Sequence, residues 1–214
     1  MSTRAIFLGS FNPPHKGHYD VVKSVINSGL MEKFDIRKIH VIPCWQNPNK
    51  QKFTASFVQR YQMCKFMFDD LIYDGLVYID DVEEEICPSY TYELIRHFNS
   101  GHDLYINRYN EGFYWIITIE TLKELLDEKW KNSTELLFNN DFIIVGRDVN
   151  ELNNLVESYN KYYKNSIRTN FVKLTDEHDF HSTELREKVK DGKSIEDETN
   201  DKINQYIKEQ KLYK

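Results

Sequence analysis

The sequence predicts an α/β fold in which helices cover both faces of a doubly wound parallel sheet. Short apolar runs alternate along the chain with segments of helical periodicity. The apolar runs are hydrophobic at successive positions, which indicates strands buried on both faces. The 214-residue length suits one domain. We therefore predict a single domain over residues 1–214, in which residues 175–214 form a C-terminal helical annex.

Six short apolar runs are predicted to be the strands of this sheet. The first run ends at Gly9 and the second at Pro43, and both residue types interrupt strands. The predicted strands are Arg4–Leu8, Ile39–Ile42, Leu76–Ile79, Trp115–Ile117, Phe142–Val145 and Phe171–Leu174.

The segments between the strands carry helix signals. His18–Ser28 has valine and isoleucine at helical spacing, and Gly29 follows it as a typical C′ residue. Ser56 with Gln59 forms a capping-box pattern that opens another helix. Further helices are predicted between the fourth and fifth strands and at Tyr90–Phe98, Ser182–Lys190 and Asp201–Lys208.

The charge balance limits the classes of partner. Lys and Arg number 28 against 34 Asp and Glu, which gives a net charge of −6. A protein that coats a nucleic-acid backbone needs a basic face, so no nucleic-acid partner is predicted. A small phosphorylated ligand is compatible with this balance because one pocket needs only a few local cations.

The cysteines and the apolar runs predict a compartment. Cys44, Cys64 and Cys87 are widely separated and form no Cys-x-x-Cys pair, so neither a disulfide framework nor a thiolate zinc site is indicated. The N-terminus does not resemble a signal peptide, and no run approaches the ~18 apolar residues of a membrane helix. We expect a cytoplasmic protein with no membrane partner.

A first motif lies where the first strand meets the first helix, and it reads GSFNPPHKGH from Gly9 to His18. Ligands of parallel sheets bind beyond the carboxyl ends of the strands. Glycine there permits close approach of a ligand, and the helix N-terminus attracts anions. His15 and His18 are three residues apart, so both rings can face one ligand. These features predict a phosphate-binding turn.

A second motif lies late in the chain at a predicted helix N-terminus. Ser182 and Thr183 offer hydroxyl groups there, and Arg186 lies one turn further along the same face. Alone, this pattern is far more often a helix cap followed by a surface arginine, and its weight comes from its pairing with the first motif.

The two motifs together resemble the signatures of the nucleotidyltransferase superfamily related to class I aminoacyl-tRNA synthetases, which has a Rossmann-like fold. The sequence departs from those signatures at Leu8, often a second glycine, at Asn12, often aspartate, and at His181, usually serine. The resemblance implies that His15, His18 and Arg186 are catalytic. It also implies an ATP site formed by Gly9, Ser10, Phe11, His15, His18, Ser182, Thr183 and Arg186.

Further stretches narrow the resemblance to the nicotinate or nicotinamide mononucleotide adenylyltransferases. They are Ile42-Pro43 with Asn47–Lys50, Pro88–Thr91, Trp130, and the C-terminal Tyr206-Ile207 with Leu212–Lys214. The implied mononucleotide-binding residues are Asn12, Thr91, Glu120 and Trp130. Two departures stand out. Thr118 replaces a family glycine and is expected to cost backbone freedom, and Asn107–Gly112 looks like an insertion.

The resemblance implies the reaction of ATP with nicotinate mononucleotide to give nicotinate adenine dinucleotide and pyrophosphate, with Mg²⁺ as cofactor. Nicotinate is preferred because Pro88–Thr91 and the C-terminus look like the bacterial type. The alternatives are a nicotinamide mononucleotide acceptor, a pantetheine or polyol phosphate acceptor, and a non-catalytic nucleotide sensor. Thr118 and His181 motivate the sensor. An oligomer is possible.

A separate hypothesis concerns a transition metal. His178 and His181 repeat the three-residue spacing of His15 and His18, and four imidazoles could bind zinc. The simpler interpretation, which we adopt, places no metal on protein side chains.

Overall fold

The computed structural model describes residues 3–46, 53–88, 90–100, 113–163, 167–174 and 180–214. Its strands are β1 (Thr3–Gly9), β2 (Ile36–Pro43), β3 (Val77–Ile79), β4 (Phe113–Thr118), β5 (Asp141–Gly146) and β6 (Arg168–Lys173). Its helices are α1 (Lys16–Asn27), α2 (Leu30–Lys33), α3 (Phe57–Met67), α4 (Asp69–Tyr73), α5 (Val82–Ile86), α6 (Thr91–Ser100), α7 (Ile119–Leu126), α8 (Ser133–Asn139), α9 (Val149–Tyr163), α10 (Ser182–Lys190) and α11 (Asp201–Glu209).

The strands form one sheet in the order β3-β2-β1-β4-β5-β6. Every neighbouring pair is parallel. This arrangement confirms the predicted α/β class and the doubly wound parallel sheet. The order reverses between β1 and β4, and a crevice opens at such a switch point outside the carboxyl ends of the strands.

Helices cover both faces of the sheet, and each face has its own apolar core. On one face the core includes Val22 of α1, Cys64 of α3 and Ile207 of α11. On the other face it includes Leu94 of α6 and Leu122 of α7. Strands covered on both sides must be apolar at successive positions, and this is the pattern by which the sequence predicted them.

The sixth strand begins earlier than predicted. The apolar pattern indicated Phe171–Leu174, whereas β6 spans Arg168–Lys173. β6 lies at the edge of the sheet and pairs only with β5 among the described strands. Because an edge strand tolerates polar residues, its first half carries no apolar signal. Arg168 is instead held by an ion pair with Asp141 on β5.

Helix α9 was not predicted. It is polar, but Leu152, Leu155, Val156 and Tyr159 follow the i, i+3, i+4, i+7 spacing of a helix face and pack into the second core. Asp148 Oδ1 accepts a hydrogen bond from the Asn150 main-chain N–H at 2.9 Å, as a residue at a helix start does. Both signals are readable in the sequence.

Helix α11 packs against α3. Asn200 accepts from the Ile203 N–H at 3.0 Å and donates to the Phe66 main-chain oxygen at 3.0 Å. The Phe66 and Tyr206 rings lie 5.7 Å apart. The predicted boundary of the helical annex, residue 175, falls outside the described residues. Within the described ranges, no helix combines the length and the apolar character needed to span a membrane.

The predicted capping box at the start of α3 is present. Ser56 Oγ accepts from the Gln59 N–H at 3.3 Å, and Gln59 Oε1 accepts from the Ser56 N–H at 2.8 Å.

We expect Ser56→Ala to lower the free energy of unfolding by about 1 kcal/mol, which corresponds to a fall in Tm of about 2–4 °C for a chain of this size. Ser56→Asp keeps an acceptor and serves as the control. Equal losses in the two variants, measured by urea and thermal unfolding, would contradict a capping role.

Candidate active site

A cleft of about 1190 Å³ lies at the switch point between β1 and β4. This volume exceeds that of most single-ligand pockets, so two nucleotides can fit. The N-termini of α1 and α10 both border the cleft. The twelve predicted site residues all line it, namely Gly9, Ser10, Phe11, Asn12, His15, His18, Thr91, Glu120, Trp130, Ser182, Thr183 and Arg186.

The turn after β1 is built around the ring of Phe11. This ring is fully buried, and its centroid lies 5.6 Å from that of Phe7 and 4.9 Å from that of His18. A Cβ atom at Gly9 would lie 2.8 Å from Phe11 Cζ. Gly9 is therefore needed to seat this ring, a role that adds to the close approach of a ligand predicted from the sequence. The Phe11 side chain supports His18 from behind the cleft wall.

His15 and His18 lie ring against ring, with their centroids 3.8 Å apart. The main-chain N–H of His15 donates to His18 Nδ1 at 3.2 Å. Because Nδ1 accepts this bond, the network assigns the proton of neutral His18 to Nε2. His18 is thereby fixed as a ring that can donate from Nε2.

His15 is held in its neutral form. Burial, and to a smaller extent the nearby His181, lowers the pKa of His15 from 6.5 to about 4. Its Nδ1 atom is buried and has no hydrogen-bond partner within the described residues. An unpartnered buried polar atom is costly, and a bound anion beside it would relieve part of that cost.

Side chains from distant elements hold the carbonyl oxygens of the same turn. Arg60 Nη1 donates to the Ser10 oxygen at 2.9 Å, and Arg186 Nη1 donates to the Asn12 oxygen at 2.8 Å. Ser182 Oγ donates to the Pro13 oxygen at 2.9 Å. The two sequence motifs are therefore bonded directly to each other.

Arg60 is a component of the site that the sequence analysis missed. It is fully buried, and its Nη2 donates to the Trp45 main-chain oxygen at 3.2 Å. The Trp45 N–H donates to the Glu83 carboxylate, and burial raises the pKa of Glu83 to about 7. The sequence did contain a signal for this role, because Arg60 follows Phe57 by three residues and so lies on the apolar stripe of α3. A charged side chain buried on that stripe would be costly without a partner, so its presence indicates a polar partner in the core.

The second half of the cleft carries the predicted mononucleotide residues. Trp130 Nε1 donates to Glu124 Oε2 at 2.9 Å, which fixes the indole at the rim of the cleft. Lys131 Nζ lies 4.3 Å from the centroid of the Tyr90 ring. Lys131 and Tyr90 also line the cleft, as do Trp115, Gly146 and Arg147, and the sequence analysis predicted none of these five.

Thr118 does not need the backbone freedom of glycine. Its φ of −86° and ψ of 166° are ordinary extended values, so the expected cost of replacing glycine is absent. Its side chain accepts from the Thr121 N–H at 3.4 Å and caps α7. Glu120 follows in the first turn of that helix and is exposed at the cleft.

Several predicted features lie outside the described residues. They are Asn47–Lys50, Ser89, the apparent insertion Asn107–Gly112 and His178. The zinc hypothesis needs His178. Within the described part of the chain, no three or more His, Cys, Asp or Glu residues are grouped so that they could hold a metal ion.

The fold and the paired motifs define a nucleotidyltransferase site, and the comparisons with known proteins agree. The model of the cytidylyltransferase-like family matches residues 6–188. The chain is also similar to a nicotinic acid mononucleotide adenylyltransferase from Plasmodium falciparum, solved in complex with NaAD. The TM-score is 0.77 at 20% identity, and the match covers 100% of this chain and 98% of the other.

Two curated bacterial proteins are similar over their whole length. The protein from Hydrogenobaculum sp. is 31% identical over 98% of this chain and 97% of its own. The protein from Clostridium acetobutylicum is 30% identical over 100% of both chains. Each is named a probable nicotinate-nucleotide adenylyltransferase. The chain belongs to the cytidylyltransferase-like family and, within it, to the nicotinate-nucleotide adenylyltransferases.

The lowered pKa of His15 predicts a loss of stability in acid. The unfolded chain binds the proton near pH 6.5 and the folded chain near pH 4, so stability falls as the pH drops through this window. At about pH 4.5 the loss due to His15 should be about 2–3 kcal/mol. Urea unfolding at pH 7 and pH 4.5 should show this extra loss in the wild type but not in His15→Gln. Equal pH dependence of the two proteins would contradict the assignment.

Proposed function

We propose that the protein transfers AMP from ATP to nicotinate mononucleotide, giving nicotinate adenine dinucleotide and pyrophosphate. The main support is that both motifs meet in one cleft with room for two nucleotides, beside Trp130 and Thr91. Membership in the nicotinate-nucleotide adenylyltransferase family supports the same reaction.

The reaction needs no nucleophile from the protein. A 5′-phosphate oxygen of the mononucleotide forms a bond to the α-phosphorus of ATP, and the bond from that phosphorus to the β-bridging oxygen breaks. Pyrophosphate carries away the electron pair. Catalysis then consists of aligning the two substrates and stabilising the charge on the transferring phosphoryl group.

His15 and His18 are assigned to the triphosphate. The Nε2–H of His18 is suited to donate to an oxygen of the α-phosphate, because Nδ1 already accepts the His15 N–H. Neutral His15 lies against this ring at the N-terminus of α1. Gly9, Ser10 and Phe11 contribute through the main chain of the turn.

The N-terminus of α10 is assigned to the β- and γ-phosphates. Arg186 Nη1 already holds the Asn12 oxygen, and its Nη2 donates to Thr183 Oγ1 at 3.1 Å. The guanidinium is thus fixed, and its charge lies beside the turn. Ser182 Oγ donates to the Pro13 oxygen and thereby attaches α10 to the turn, so Ser182 also sets the distance between the two motifs.

The pyridine mononucleotide is assigned to the half of the cleft formed by Trp130, Thr91, Glu120 and Asn12. Trp130 offers an aromatic face at the rim, and Thr91 offers a hydroxyl at the start of α6. An aromatic ring stacks favourably on such a face. Glu120 can accept from ribose hydroxyl groups.

A divalent cation fits this site as a companion of ATP. The polar side chains with which the two motifs line the cleft are imidazole, hydroxyl, amide and guanidinium groups, whereas Mg²⁺ prefers carboxylate and phosphate oxygens. The ion would therefore be held mainly by the triphosphate and water. When bound, Mg²⁺ supplies positive charge to the phosphate oxygens.

The proposal also covers the domain organisation and the location of the protein. We expect one domain over residues 1–214 with the helical annex from 175, a cytoplasmic location, and no nucleic-acid or membrane partner. Cys44, Cys64 and Cys87 are all present as thiols, which supports a reducing compartment. An oligomer stays possible.

Replacing His18 tests the assignment of the donor. His18→Ala should lower kcat about 10²–10³-fold at saturating substrates, because it removes a donor to the charge that develops in the transition state. Release of pyrophosphate from ATP and nicotinate mononucleotide measures the rate. Lys23→Ala, on the same helix but outside the cleft, is the control. Near-native turnover of His18→Ala would remove His18 from the mechanism.

The choice of acceptor tests the function itself. Wild-type protein with Mg-ATP should form most product with nicotinate mononucleotide, less with nicotinamide mononucleotide, and none with phosphopantetheine or glycerol 3-phosphate. The measurement is kcat/KM for each acceptor. A higher value for the nicotinamide substrate would reverse the acceptor assignment. Binding of ATP without product from any acceptor would favour the sensor.

A further inference from the structure

Asn12, in the middle of the phosphate-binding turn, is held from two directions. Its main-chain oxygen accepts from Arg186 of the second motif at 2.8 Å. Its side-chain Oδ1 accepts from the hydroxyl of Tyr213 at 2.8 Å, although the two residues are 201 positions apart in sequence. Tyr213 belongs to neither motif, so its hydrogen bond to Asn12 connects the turn to a third segment of the chain.

Tyr213 is built into the core beneath the turn. It is only 7% exposed and belongs to the apolar core on the face that carries α1, α3 and α11. The chain reverses after α11, where the Leu212 N–H donates to the Ile207 oxygen at 3.0 Å. Tyr213 adopts a φ of 63°, a left-handed value that costs free energy for a non-glycine residue. Packing around the ring holds this conformation.

The hydroxyl of Tyr213 stays protonated and is therefore available as a donor. Burial raises its pKa above the ordinary value, more strongly than Arg186 and Arg60 lower it. These two arginines are the same ones that hold the Asn12 and Ser10 carbonyl oxygens. Tyr213 thus interacts electrostatically with both charged residues that fix the turn, and its neutral hydroxyl donates to the Asn12 side chain.

We propose that Tyr213 is a positioning residue of the nucleotide site, and that its hydroxyl holds the phosphate-binding turn in its reactive shape through Asn12. This inference rests on the proposed function, because the effect is measured on the transfer of AMP. The C-terminal segment is then part of the active-site support. Loss of the hydroxyl leaves the packing of the ring intact, but the Asn12 side-chain amide then loses the hydrogen bond from Tyr213. Asn12 is only 5% exposed.

The size of the expected effect is that of one hydrogen bond. The net free energy that an intramolecular hydrogen bond typically contributes corresponds to a change of about two- to twelvefold in an equilibrium constant or a rate. Because the turn must be aligned in the transition state, the loss should fall mainly on kcat rather than on the KM for ATP.

The test uses Tyr213→Phe, Asn12→Ala and the double variant in a double-mutant cycle, with the full-length protein, ATP and nicotinate mononucleotide. Tyr213→Phe should lower kcat about three- to tenfold in the wild-type background and less than twofold in the Asn12→Ala background. Tyr206→Phe is the matched control, since Tyr206 lies on α11 and contacts Phe66 rather than the cleft. It should leave kcat and KM unchanged.

Each outcome decides between a positioning role and a purely structural one. An equal fall in kcat in both backgrounds would overturn the proposal, as would an unchanged kcat in Tyr213→Phe. Absence of a cooperative thermal transition in Tyr213→Phe would also overturn it, because the residue would then serve the fold alone. If the wild type itself forms no dinucleotide while still binding ATP, the proposed function fails instead, and the two failures are distinguishable.

Discussion

The structure depends on how the carbonyl oxygens of the turn after β1 are satisfied. A turn that binds polyanions must direct donors, not carbonyl oxygens, toward its ligand. Here the oxygens of Ser10, Asn12 and Pro13 accept hydrogen bonds from Arg60 on α3 and from Arg186 and Ser182 on α10. Each unsatisfied buried carbonyl would cost about 1–3 kcal/mol. The α3 helix and the α10 helix are therefore packed where these donors are needed.

The same constraint explains how an acidic chain can host a triphosphate. The net charge of −6 is an average over the surface and says little about one cleft. The cleft meets the ligand with two helix N-termini, a fixed arginine and a His15 ring held neutral by burial. Neutral donors avoid the mutual repulsion that two adjacent imidazolium rings would suffer. The ring contact of 3.8 Å between His15 and His18 is compatible with this charge state.

The mononucleotide half of the cleft is less rigidly built. Its aromatic and charged side chains lie at the rim and are paired with exposed partners, as Trp130 is with Glu124. Such pairs are screened by water and contribute little to stability. Within the cleft, the buried hydrogen bonds thus support the phosphate turn, where the reaction needs alignment, and the rim is left to recognise the ring of the acceptor.

The fold class and all six strands, to within three residues at each end, could be predicted from the sequence. The residues of the two motifs could also be recognised there, and the structure brings them to one cleft. These features are local, because strand burial, helix caps and a ten-residue motif are each written in neighbouring positions. One expectation was wrong: Thr118 was expected to cost backbone freedom, but its backbone angles are ordinary extended values and its side chain caps α7.

The supports of the site become visible only when the packing of distant segments is known. Arg60, Glu83 and Tyr213 become supports of the active site because α3, α5 and the chain after α11 lie close to one turn. Their role depends on burial and on donor–acceptor distances of about 3 Å. Contacts between residues up to 201 positions apart leave no periodic or spacing signal.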